Sequence, residues 1–172
     1  MAVLHETHVP VTRAEFPWAL RQGVIGGIVA GLVFAAFEMI ASAVMMGGDA
    51  FFMPLRMIGA IALGAAALEP TYSLLMAGLA GLVVHVALAA IYGAVFATIF
   101  GRLRSAAADI GIGAAYGFAL WLLNFYVVAP IAFPWFLEAN PVVQFIAHTF
   151  FFGAVLGWYV FQERRRAEIA TP

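Results

Sequence analysis

Residues 31–46 read GLVFAAFEMIASAVMM, a run of hydrocarbon side chains with a single ionisable group, Glu38, near its middle. Upstream the run continues through GVIGGIVAG at 23–31. A helix needs ~20 apolar residues to cross the hydrocarbon core of a bilayer, so 23–46 is long enough to span one. A carboxylate within a span is costly unless it faces polar partners inside a bundle. IASA at 40–43 resembles a signal-peptide cleavage site. The apolar stretch before it is longer than such peptides use and holds Glu38, so it is expected to be retained as a span.

Composition extends the same conclusion to the whole chain. Of 172 residues, 65% are hydrophobic and 10% charged, with a mean hydropathy of +1.02. A water-soluble domain of this size could not bury that much apolar surface, whereas lipid can act as the outer solvent. A formal net charge of −1 leaves no basic face for a nucleic acid. The absence of cysteine excludes disulfides, thiolate metal sites and thiol catalysis. All eight basic residues are Arg, a bias with no evident physical cause.

Four spans are expected, at roughly 23–46, 74–100, 109–129 and 142–162, forming one all-α transmembrane domain over 23–162. Residues 1–22 and 163–172 are expected to be cytoplasmic, as is the loop at 101–108. Arg13 and Arg21 precede the first span, Arg102 and Arg104 separate the second from the third, and Arg164, Arg165 and Arg166 follow the fourth. Only Arg56 lies in the other two connectors, so the positive-inside rule places both termini on the cytoplasmic side of a bacterial inner membrane. Of the outward connectors, APIAFPWFLEANP at 129–141 is short and carries Trp135, a residue type suited to the membrane interface. The longer one contains FMPLRMIGAIALGAAALEP at 52–70, in which 55–68 is too short to span and reads as an interfacial or shallow re-entrant helix. Thr12-x-x-Glu15 has the form of a capping box, but Pro17 would interrupt a helix begun there.

The chain repeats itself. Gly27, Gly31, Ala35 and Glu38 recur 86 positions later as Gly113, Gly117, Trp121 and Asn124. YGAVFA at 92–97 is echoed by FGAVLG at 152–157, and a histidine lies upstream of each shared glycine, His85 before Gly93 and His148 before Gly153. The spans are therefore expected to form two hairpins entering from the same side, parallel repeats about an axis along the membrane normal. Counted from the cytoplasmic arginines, Glu38, His85, His148 and, slightly further out, Asn124 fall in one layer in the outer half of the membrane. Gln144 lies one turn from His148 and could orient it. The small-residue stripes through Gly27 and Gly31, and through Gly81 and Gly93, are expected to pack helix against helix and to turn Glu38 and His85 inward.

Three functions are compatible with such a layer. Interhelical Glu–His and Asn–His pairs could simply fix helix register in a non-catalytic accessory or stabilising subunit of a larger membrane complex, or in a homo-oligomer. His85 and His148 could instead be axial ligands of a b-type haem, with the carboxylate and amide around them. Glu38, His85 and His148 also match the donor set of a transition-metal or proton-handling site, and Met39, Met45, Met46, Met53 and Met57 cluster just beyond, as either apolar filler or Cu(I)-type thioethers. No hydrolytic triad, phosphate loop or zincin motif is present, so no enzymatic activity is expected.

GLVVHVALAAIYGAVFA at 81–97 and FPWFLEANPVVQFIAHTFFFG at 133–153 resemble the YagU-like family of small bacterial inner-membrane proteins. The resemblance covers about the last hundred residues, with a looser match to the first span. Carried over, the family's features are His85, Tyr92, Gly93, Pro134, Trp135 and His148, while the connector at 47–70 departs from its pattern. What the resemblance implies is a polytopic inner-membrane topology and a link to acid tolerance.

Overall fold

The computed structural model describes residues 16–101 and 105–170. The Thr12/Glu15 capping expectation, together with Arg13, Arg102 and Arg104, lies outside these residues. The described chain is all-helical, with four helices long and apolar enough to cross a membrane: Phe16–Met46, Leu74–Phe100, Ala106–Ala132 and Pro141–Ile169. Continuous helix is what the composition demands, because lipid offers no partners for open backbone N–H and C=O groups.

The first span is α1 (Phe16–Met46). It extends upstream of the expected span, and Phe16 and Pro17 are both helical. After Met46 the chain turns at Gly47, whose φ of 98° is a left-handed conformation that glycine adopts without strain. A short helix, α2 (Met53–Leu63), then starts with Pro54 in its first turn and ends at Gly64, φ 82°. The second span, α3 (Leu74–Phe100), is capped by Ser73, whose hydroxyl accepts from the Met76 N–H.

The third span is α4 (Ala106–Leu123), capped by Ser105 on the Ala108 N–H, and it runs through a π-helical turn at Asn124–Val128 into α5 (Ala129–Ala132). Pro130 accounts for the widened turn, since it lacks an N–H and its ring would strike the carbonyl of Tyr126 in a regular helix. In the fourth span α6 (Pro141–Ile146), capped by the Asn140 side chain, continues as a π-helical stretch at Ala147–Ala154 into α7 (Val155–Ala170). The helix outlasts the expected tail boundary at residue 163 because Arg164 is tied into the bundle, donating to Asp109 and to the Gly101 carbonyl.

Two tight helical pairs organise the bundle. Glycines at the seams let backbones touch: a Cβ on Gly27 would overlap the carbonyl of Ala89, and one on Gly93 would overlap that of Gly23. In the same way a Cβ on Gly113 would overlap the Gly153 carbonyl, and one on Gly117 the carbonyl of His148. Gly81 also serves close packing, but against α2, where it meets Leu55 while Gly59 meets Ala77. The pairs join through α1, and the shared core holds Phe34, Phe96, Leu156 and Val160. Apolar side chains such as Leu75, Val83 and Ile131 point away from the protein.

Candidate functional site

The end of the bundle that holds α2 carries a cavity of about 710 Å³ between α1, α2, α3 and the third and fourth spans. Glu38, His85, Asn124, Gln144 and His148 all line it, one polar side chain from each of the first three spans and two from the fourth. Glu38 is buried and projects from α1 on the stripe that carries Gly27 and Gly31. Its Oε2 accepts a hydrogen bond of 2.7 Å from Nε2 of Gln144, and Oε1 has no hydrogen-bond partner.

The partners differ from the pairs expected. Glu38 meets an amide and no imidazole, while Oδ1 of Asn124 accepts from the Tyr92 hydroxyl at 3.3 Å. Each histidine is bonded to a backbone carbonyl. Nε2 of His85 lies 2.8 Å from the Gly31 oxygen, and Nδ1 of His148 lies 2.8 Å from the Gln144 oxygen. A carbonyl can only accept, so the proton sits on Nε2 in His85 and on Nδ1 in His148, leaving the other nitrogen of each ring with its lone pair. Gln144 thus orients His148 through its carbonyl and holds Glu38 through its amide. Both π-helical stretches border the cavity and carry Asn124 and His148 into it, and such widenings recur at functional positions.

A haem does not fit this geometry. Phe34 packs against both imidazoles, its centroid 5.3 Å from His85 and 4.8 Å from His148, and Nε2 of His85 is engaged by the backbone. Axial ligation needs the two rings directly opposed across open space. A three-donor metal site on Glu38, His85 and His148 is not formed either: among the described residues no three His, Cys, Asp or Glu side chains are grouped to hold an ion.

The cavity is otherwise apolar and aromatic. Met39, Met45, Met46, Met53 and Met57 line it together with Trp135, whose indole donates to the Met57 carbonyl and fastens the second of the two connectors at this end to α2. Arg56 fastens the first, donating to the carbonyls of Glu69 and Tyr72. Ser42 donates to the Ala50 carbonyl and holds the turn after α1 beside its own last helical turns.

Two features lay beyond sequence reasoning. Tyr116 reaches across from α4 to donate to the Tyr92 carbonyl, a link between the two middle spans besides that of the Tyr92 hydroxyl to Asn124. At the opposite end from the cavity, Asp109 is fully buried and paired with Arg164 at 2.5 Å, a clasp between the third and fourth spans. Only a lone acid early in the third span and the arginines after the fourth could have signalled it. Compared with family models, curated proteins and solved structures, the chain matches none.

Proposed function

We propose that the chain is a non-catalytic, four-span protein of the bacterial inner membrane that works by binding a small ligand in its outer-half cavity. The observation that carries this is the convergence of Glu38, His85, Asn124, Gln144 and His148 on one space of about 710 Å³, a volume within the range of small-molecule sites. The Glu38–Gln144 and Tyr92–Asn124 bonds hold helices in register, but register alone does not call for the space left open beside them. The distribution of Arg21 and Arg164–Arg166 favours cytoplasmic termini, so the cavity faces the periplasmic side. In this arrangement α2 is a shallow re-entrant helix: Leu55 packs level with Gly81, about 10 Å inside the start of α3 at Leu74. The matching glycine seams of Gly27 with Gly93 and of Gly113 with Gly153 support a parallel repeat of two hairpins. The polytopic topology also accords with the YagU-like resemblance.

Native mass spectrometry from nanodiscs tests the proposal. A small molecule is expected to travel with the protein at one per chain and to be lost in Ala41→Trp, which fills the cavity from α1. Spectra of polypeptide and lipid alone, identical for the two proteins, overturn it. An accessory role in a larger assembly is favoured by a different observation. The α3 window is only 17% buried within the chain, which leaves Leu75, Val83 and Ile91 for lipid or for a second membrane protein. Co-purification of a stoichiometric partner in mild detergent, lost in Val83→Trp, is the corresponding check.

A further inference from the structure

The cavity's chemistry is one-sided. Two carboxylates line it, Glu38 in its depth and Glu138 in the outward connector, and no Lys or Arg does. Its neutral polar groups include unused acceptors beside the amides of Asn124, Asn140 and Gln144. The lone-pair nitrogens of His85 and His148 are unused by protein hydrogen bonds, and Gln144 spends an N–H on Glu38. Around them stand aromatic faces, including Phe34, Tyr92, Phe125 and Trp135. The negative face of an aromatic ring attracts a cation, most strongly where water is excluded. The outer part is walled by five methionines, flexible thioethers that adapt to apolar bodies of varied shape.

Glu38 supplies the decisive asymmetry. Its side chain is buried, one oxygen is held by Gln144 and the other has no hydrogen-bond partner. Among the described residues no cationic side chain is paired with it. An isolated carboxylate in an apolar interior is expensive until a proton or a counter-charge neutralises it, and a bound cation competes for that place. We propose that the cavity binds a hydrophobic organic cation, its positive centre beside Glu38 and its apolar body against the methionines and aromatic rings. This rests on the cavity being a ligand site and adds the class of ligand. Glu138, exposed at the mouth, attracts the same charge from outside.

Tetraphenylphosphonium and tetraphenylborate, close in size and shape but opposite in charge, provide the test. Equilibrium dialysis against the full-length protein in a neutral detergent is expected to show saturable binding of the phosphonium at one per chain. Its affinity should exceed that for the borate at least tenfold. Glu38→Gln is expected to weaken phosphonium binding tenfold or more and to leave the borate unaffected. Glu138→Gln, at an exposed position that folding does not depend on, should weaken it about two- to threefold in low salt only. Because the phosphonium-to-borate ratio is read on the unaltered protein, the result stands even if Glu38→Gln does not fold. Saturable binding with equal affinity, or with preference for the borate, overturns the cationic class while leaving a ligand cavity in place. Saturable binding of neither ion overturns this inference, and the nanodisc spectra then decide separately whether the cavity holds a ligand.

Discussion

Asp109 and Arg164 show how a single buried pair governs the end of the bundle opposite the cavity. Asp109 has no exposed surface, whereas Arg164 retains 15% and holds the Gly101 carbonyl as a second partner. Removing the guanidinium therefore strands a carboxylate that cannot reach water, while removing the carboxylate leaves a guanidinium that still has an acceptor and some solvent. Arg164→Ala is expected to cost about 3 kcal/mol and Asp109→Ala distinctly less, since breaking a buried pair costs chiefly through the charge left behind. Unfolding of both variants and of the double variant in mixed micelles checks this. If Asp109→Ala is the costlier change, the clasp is not held in the way described. Glu163 and Arg166, paired one turn apart on the exposed side of the same helix, are expected to matter little by comparison.

The helices themselves meet through glycine, and the seams separate glycines that pack from glycines that merely occur. Gly27 and Gly113 each face a carbonyl oxygen of the neighbouring span, a rigid group that cannot yield to a methyl. Gly78 and Gly111 have open space where a methyl would go. Alanine at Gly27 or Gly113 should force its pair apart and cost about 1–3 kcal/mol, as overpacking does. Alanine at Gly78 or Gly111 should be neutral or gain up to ~1 kcal/mol from better helix propensity. Thermal unfolding of the four variants side by side decides whether the seams are real. Much of this level was legible in the chain itself. The length of each apolar run and the recurring glycines are local signals that survive in one dimension. What could not be read was which group each polar tip would meet. Glu38 and Gln144 are 106 residues apart, and whether the acid reaches an amide or an imidazole depends on rotations of about one residue around each helix axis. The π-helical stretches shift that rotation midway along the third and fourth spans, and only Pro130 hints at one of them.

Across the whole molecule, the cavity at one end and the clasp at the other give the protein two dissimilar poles. Cysteine is absent, so thiols can be introduced one at a time without background. Glu138→Cys, at an exposed position in the second outward connector, is expected to react with a membrane-impermeant maleimide applied to cells with a permeabilised outer membrane. Glu168→Cys should react only after the inner membrane is opened. The reverse pattern would invert the protein and turn the cavity toward the cytoplasm. The clasp carries a further consequence for how the chain is made. Asp109 leaves the ribosome 55 residues before Arg164, so the third span reaches the bilayer while its counter-charge is still unsynthesised. A nascent chain arrested in that interval would hold an acid at the membrane with nothing to neutralise it. Commitment of the second hairpin therefore waits for the final span, and translation order becomes part of the assembly of the bundle.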